Sequence, residues 1–223
     1  MMENKVGIGI VGSQFISSIH AEALKTVADA QIIAVMSPTE GNAKNFAEKH
    51  NIPNHFTKIE DMLALKEIDM IIIGAPNDVH CDITLKAAMA GKHIVVEKPL
   101  CMNLSEADLM INACKEANVK LMYAEELCFT PKYVRLKELL DKGTLGEPVL
   151  LKQSEKHDGP HADHFWDVER SGGGVTMDMG CHAIQYFRWM NNSYHIKSVY
   201  SQMSTTVHTD KTMRDDNSII IEC

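Results

Sequence analysis

The sequence predicts an α/β protein: a doubly wound parallel sheet followed by an α+β domain with an open, largely antiparallel sheet. Three observations carry this expectation. Short β-branched runs alternate with helical patterns through the first half of the chain, which is how a parallel sheet with crossover helices reads. Those runs are continuously apolar rather than alternating, as strands covered by helices on both faces should be. After Pro131 the rhythm changes to longer polar stretches, a glycine-rich loop and two moderately alternating segments.

The elements follow in order. Val6 to Val11 is an apolar and glycine strand, and the helix after it carries Phe15, Ile16, Ile19, Ala23 and Leu24 toward the core. Gln31 to Met36 is a strand and Gly41 to His50 a short helix with Phe46 and Ala47 inward. Ile59 to Leu65 is helical, Met70 to Ile73 is a strand, and Val79 to Ala90 is a helix that Gly91 can cap. His93 to Val96, Ser105 to Ala117 and Val119 to Tyr123 complete the first half as strand, helix and strand. The first domain is therefore placed at residues 1–123 and the second at 124–223, the first within the usual domain size.

In the second half Lys132 to Leu140 reads as a helix ending at Gly143, and Pro148 to Glu155 as strand-like. Lys156 to Arg170 reads as a polar loop containing His157, His161 and His164. Gly172, Gly173 and Gly174 lead into one amphipathic helix from about Val175 to Met190. Ile196 to Val207 alternates, and Asn217 to Glu222 is strand-like. The chain stops at SIIIE and Cys223 with no closing turn, so the second sheet is expected to be incomplete, either as a true edge or as a fragment.

Composition narrows the function classes. With 22 Lys plus Arg against 30 Asp plus Glu the formal charge is −8, and no basic run offsets it, so nucleic acid is not an expected partner. Six cysteines are widely spaced without a C-x-x-C pair, which indicates neither a zinc knuckle nor a redox dithiol. No signal-peptide pattern and no bilayer-length apolar run is present. A cytoplasmic protein with no membrane partner is expected.

The opening KVGIGIVGSQFISSIHAEAL contains an apparent G-x-G-x-x-G at Gly7, Gly9 and Gly12. If Val6 to Val11 is the strand, Gly7 and Gly9 lie inside it, where neither can meet a pyrophosphate at the helix start. The turn begins instead at Gly12, and the next two fingerprint positions are Gln14 and Ser17. Gly12 keeps the tight turn, Ser17 is small enough for helix–sheet packing, and Gln14 places a side chain where bare backbone is expected. A plain strand–turn–helix remains open beside a nucleotide turn. After the second strand stand Met36, Ser37, Pro38 and Thr39, with neither an acid for the ribose of NAD nor an arginine for a 2′-phosphate. NAD and NADP both stay open.

Polar clusters follow the later strands. Ala75, Pro76, Asn77 and Asp78 with His80 come after the Met70 strand, and Glu97, Lys98 and Pro99 after the His93 strand. Both lie at carboxyl ends, where open α/β sheets bind ligands. In GGGVTMDMGCH, Asp178 and His182 stand four apart, placing a carboxylate and an imidazole on one helical face. Oxidation of a carbinol needs a base for the hydroxyl proton, and an imidazole with its ordinary pKa near ~6.5 serves at neutral pH. A structural hydrogen-bonded pair is the other reading. HDGPHADH offers imidazoles without a helix to fix ligand geometry, so no metal is expected. A loop over substrate, with Trp166 as an apolar wall, is expected there.

Taken together, GIVGSQFISSIH, APNDVH, VVEKP, LMYAEELCFTPKY and GGGVTMDMGCH resemble the glucose-fructose oxidoreductase and inositol dehydrogenase superfamily, in that order along nearly the whole chain. The resemblance implies a Rossmann-type first domain that binds NAD or NADP and a second domain that shapes the substrate pocket and mediates homo-oligomerisation through its sheet. It implies cofactor contacts from Gly12, Ser13, Gln14, Phe15, Ile16, Ser37, Ala75, Pro76, Asn77, His80, Glu97 and Lys98. Lys98, Glu125, His157, Trp166, Asp178 and His182 would face substrate. Lys98 would hold the substrate hydroxyl, Asp178 would orient substrate or tune the base, and His182 would be the general base. The implied substrates are sugars, inositols and related polyols. Gln14, Ser17 and the paired acids Glu125 and Glu126 depart from the family pattern. With those departures, a dinucleotide-binding remnant without turnover and an oligomerising protein stand as alternatives.

Overall fold

The computed structural model describes residues 5–156, 158–192 and 195–222. Two compact units divide the chain, Met1–Ala124 and Glu125–Cys223.

The first unit runs β1 (Val6–Val11), α1 (Phe15–Leu24), β2 (Ala30–Met36), α2 (Glu40–His50), β3 (Asn54–Phe56) and α3 (Ile59–Leu63). It continues with β4 (Met70–Ile73), α4 (His80–Met89), β5 (His93–Glu97), α5 (Leu104–Glu116) and β6 (Leu121–Ala124). All six strands are parallel in the order β3-β2-β1-β4-β5-β6. The order reverses between β1 and β4, and that switch point is where a doubly wound sheet opens a crevice at its carboxyl ends.

The continuous apolar strands have the cause expected of them. Successive side chains of a strand point to opposite faces, so Ile71 and Ile73 join Ile94 and Val96 in one core, while Ile72 joins Ile8 and Ile10 in the other. Each face is sealed by helices, with Met62, Ala87 and Met110 on one side and Ala21, Phe46 and Ala47 on the other.

Helix α1 differs from its expected orientation. Ser17 and Ala21 are its buried residues, whereas Phe15 is 60% and Ile19 47% exposed. Small side chains form the inward stripe because α1 lies tight against the sheet beside the glycine turn. Strand β3 escaped the sequence reading, since Asn54, His55 and Phe56 form no apolar run; it exists because its backbone pairs with Ala34, Val35 and Met36 of β2.

The second unit contains a 3-10 turn at Glu126–Phe129, α6 (Pro131–Asp141), another 3-10 turn at Asp163–Trp166, α7 (Val168–Ser171), α8 (Val175–Asp178) and α9 (Gly180–Met190). Strands β7 (Val199–Ser204) and β8 (Asn217–Glu222) pair antiparallel. The single helix expected over Val175 to Met190 is two, broken at Met179, whose φ is −108°. Pro148 to Glu155 is not a strand: no described strand pairs with it, and Val149 and Leu150 are 99% and 71% exposed. The loop expected over Lys156 to Arg170 includes the Asp163–Trp166 turn and the start of α7. Among the described residues no helix is long and apolar enough to cross a membrane.

Candidate functional site

The glycine turn is built by close packing. Gly12 has φ +102°, a conformation that favours glycine. A Cβ there would lie 2.4 Å from the carbonyl oxygen of Gly74, and a Cβ at Gly74 would lie 2.7 Å from Ser17 Oγ. Backbone bonds fix the same point, with Gly12 N–H donating to Met36 O at 2.9 Å and Gly74 N–H to Val11 O at 2.8 Å. Ser17 therefore fills the third fingerprint position because α1, the β1 turn and the end of β4 meet there with no room for more. Gly7 and Gly9 have a different cause. They lie within β1, and a Cβ at Gly7 would meet Glu67 O at 1.7 Å.

The fit of a dinucleotide can be judged from this turn. Gln14 is the N-cap of α1 with φ −100° and ψ −160°, and no side chain caps the helix. The N-terminal turn of the ten-residue helix, with its share of the macrodipole, thus starts beside an exposed Gln14. Ser13 Oγ donates to the buried Ser37 Oγ at 3.0 Å, tying the turn to the end of β2. A cleft of about 320 Å³ lies alongside, lined by Ser13, Gln14, Ser18, Asn42, Asn45, Phe46 and Lys49. These features suit a phosphate-bearing nucleotide. Asn42, Asn45 and Lys49 were missed in the sequence because they lie on α2, beyond any fingerprint; only their polar clustering in GNAKNFAEKH marks them.

The loops after β4 and β5 are braced from beneath. His80 is 0% exposed, with Nδ1 3.0 Å from Pro99 O and Nε2 2.9 Å from Ala75 O. Expected as a cofactor contact, it has its ring enclosed between the Ala75 loop and the Lys98–Pro99 loop. Burial pushes its pKa down, against the opposing pull of the backbone oxygens. Glu97 is also inward, 8% exposed, with Oε1 2.7 Å from His20 Nε2 and Oε2 accepting from Lys98 N–H at 3.1 Å. Glu97, expected as a cofactor contact, thus also supports the loop that carries Lys98. Asn77 is 2% exposed, whereas Lys98, Ala75 and Pro76 are partly exposed at the rim. The Lys98–Pro99 peptide is cis.

In the second unit the carboxylate on His182 comes from Glu125. His182 Nδ1 lies 2.7 Å and 2.8 Å from the two oxygens of Glu125, and both side chains are 4% exposed. Glu125 is fixed in turn by accepting from Leu127 N–H at 3.2 Å. Expected as a substrate contact, Glu125 is instead buried as the partner of the imidazole. The carboxylate against the His182 ring is thus that of Glu125, and the break at Met179 interrupts the helix between Asp178 and His182. Asp178 is partly exposed at the end of α8. The glycine loop before α8 is locked from β8's side of the unit. A Cβ at Gly174 would meet Asp215 O at 2.1 Å, and Val175 and Thr176 N–H donate to Asp215 at 2.8 Å each. Trp166, expected as a pocket wall, packs edge-on to His208 at 4.8 Å, with Lys211 Nζ 5.2 Å over its ring. His157 lies outside the described residues.

A parallel sheet in the 3-2-1-4-5-6 order, with a helix start at its switch point, defines a nucleotide-binding α/β protein of the dinucleotide class. The chain belongs to the oxidoreductase family with an NAD-binding Rossmann fold, whose pattern matches residues 6–125, and residues 133–223 match the GFO/IDH/MocA C-terminal domain. The cofactor class of that family is a nicotinamide dinucleotide. Among relatives, the trans-1,2-dihydrobenzene-1,2-diol dehydrogenase of Xenopus tropicalis is 33% identical over 197 residues, covering 86% of this chain and 58% of that protein. The myo-inositol 2-dehydrogenase of Thermotoga maritima is 28% identical over 200 residues, covering 90% of this chain and 59% of that protein. A probable dehydrogenase from Thermotoga maritima superposes with a TM-score of 0.89 at 26% identity, over 97% of this chain and 65% of its own. Levoglucosan dehydrogenase, solved with NADH and levoglucosan, shares the fold with a TM-score of 0.85 at 23% identity, over 98% and 64% of the two chains. The chain thus spans less than two thirds of the length of these relatives.

Proposed function

We propose that the protein is an NAD- or NADP-dependent oxidoreductase that transfers a hydride between the nicotinamide and a carbinol or ketone carbon of a sugar, inositol or related polyol. The observation that carries the reading is the placement of Lys98, partly exposed, directly after β5 in a sheet of the dinucleotide strand order. The enzymatic relatives support the reaction class and the polyol-like substrates.

Roles follow unit by unit, with residues 1–123 as the dinucleotide domain and 124–223 as the substrate domain. Gly12, Ser13 and Gln14 receive the pyrophosphate through backbone and amide donors, with Phe15 and Ile16 at the helix start and Ser37 near the ribose. Ala75, Pro76 and Asn77 form the opposite rim. Lys98 holds the substrate hydroxyl by a charge-assisted hydrogen bond. Bound nicotinamide supplies the hydride acceptor or donor. In the oxidising direction His182 Nε2 takes the hydroxyl proton, because Glu125 engages Nδ1 and fixes the tautomer. Asp178 orients the substrate. All six residues of β7 are exposed, which supports homo-oligomerisation through this sheet, and a cytoplasmic setting suits a soluble cofactor.

The test is a nicotinamide absorbance assay over a panel of inositols, sugars and dihydrodiols, with NAD and NADP. Lys98→Ala should lower turnover by about 10²–10⁴-fold while dinucleotide affinity, titrated by fluorescence, stays within a few-fold. Unchanged turnover in that variant rejects the mechanism. Tight dinucleotide binding with no turnover on any substrate favours a binding protein instead.

A further inference from the structure

We propose that Glu125, Cys181 and His182 form a binding site for a zinc-class divalent transition-metal ion. The three side chains offer a carboxylate oxygen, a thiol sulfur and an imidazole nitrogen, and those donor atoms all lie within 4.8 Å of one another. This mixed set matches the borderline ligands that zinc-class ions prefer, and it excludes magnesium or calcium, which take oxygen cages. Two of the donors are held by buried surroundings: Glu125 and His182 are 4% exposed and already in contact. Cys181 precedes His182 in the first turn of α9 and is partly exposed, which gives an ion a way in.

The geometry requires a small adjustment. An ion bound at about 2.0–2.3 Å from each donor sets tetrahedral donor–donor separations of roughly 3.4–3.7 Å. The Glu125–His182 contact of 2.7–2.8 Å must open by less than an ångström, and the sulfur must close from its present bond to Asp178 O at 3.2 Å. A fourth donor stands nearby, since Glu126 Oε2 is 3.7 Å from His182 Nδ1 on a side chain 63% exposed. The ion takes the place of the proton that Nδ1 shares with Glu125 and leaves the ring's remaining proton on Nε2, so the metal-loaded chain lacks the base of the proposed reaction and the site is an inhibitory one.

The experiment needs neither dinucleotide nor substrate, so its failure and that of the hydride reading are distinguishable. The full chain is stripped with a chelator, dialysed against Zn²⁺, freed of excess and assayed for retained metal. Co²⁺ is loaded in parallel for its absorption spectrum. One equivalent per chain is expected, with a thiolate-to-cobalt charge-transfer band. Cys181→Ala should lose that band and weaken retention at least tenfold, and Cys181→Ser should do the same should the alanine variant fold poorly. Cys101→Ala, in the other unit, should keep both signals. No retained metal, or retention and spectrum unchanged in the Cys181 variants, overturns the proposal.

Discussion

Each unit buries a histidine beside residues expected to do chemistry, and the partners of the two rings separate their roles. His80 of the first unit lies between two backbone carbonyl oxygens and is 0% exposed. His182 of the second has a carboxylate on one nitrogen and is 3% exposed. A neutral imidazole has one donor and one acceptor. Neutral His80 donates to one of its two carbonyl neighbours, and with backbone oxygen at both nitrogens and no exposed surface it braces the loops carrying Ala75 and Lys98. A carboxylate on Nδ1 of His182 stabilises the tautomer whose Nε2 is the basic atom, the arrangement of a general base. Burial alone therefore does not set what an imidazole can do; the chemistry of the neighbour does, and for His182 it fits the general base proposed above.

The largest break in this comparison is Glu125→Gln. An amide can donate to Nδ1, which inverts the tautomer and leaves Nε2 protonated. Turnover should fall by about 10²–10⁴-fold with dinucleotide affinity retained, and the pH–rate profile should lose the rise on its acid side that a general base produces. A fall in stability with an unaltered pH profile would instead make the pair structural. The converse change, His80→Ala, should act on stability first. Loss of one bridging hydrogen bond and exposure of buried carbonyls costs about 1–3 kcal/mol, read by denaturant unfolding. His80 also carries a pH signature. Its folded pKa lies below the ordinary value, with burial the main cause. The unfolded chain thus takes up the proton first as pH drops, so stability is full above about pH 6.5 and declines as pH falls toward the folded pKa. His80→Ala should flatten that part of the slope. An unchanged slope would assign it to another group, such as His50, whose pKa burial also lowers.

Much of the first unit was legible because its signals are local. Val6 to Val11 and Met70 to Ile73 read as strands from their apolar runs, and Gly12 marked the turn once Gly7 and Gly9 were placed inside β1. What the sequence hid depends on tertiary neighbours. Nothing in NHF announces β3, which needs the edge of β2. His80 and Glu97 sit in motif positions that look like ligand contacts, and only their inward partners, Pro99 O, Ala75 O and His20, reveal them as supports. In the second unit the i,i+4 spacing of Asp178 and His182 implied a pair, but Met179 breaks the helix and a residue 57 positions away holds the imidazole. Long-range partners of that kind leave no periodic trace in a single sequence.

The smallest expected effect sharpens the comparison from outside both sites. Asp216 accepts N–H bonds from Thr206 at 2.8 Å, Val207 at 2.7 Å and His208 at 2.7 Å, closing the connection between β7 and β8. The His208 and Thr206 amides are the largest causes that hold its pKa down at about 2. Here a carboxylate serves backbone donors as His80 serves backbone acceptors, but at the surface, where water competes for the same bonds. Asp216→Asn should therefore lower the unfolding temperature only slightly and speed amide exchange at Val207 and His208. The sign of the pH dependence is the same as that of His80, in a more acidic window: a depressed carboxyl contributes stability above its ordinary value near ~3.9 and loses it as pH falls through about 2. Wild type and variant should differ at neutral pH and converge in strong acid. A difference that persists there would show that the loop depends on the shape of Asp216 rather than on its charge.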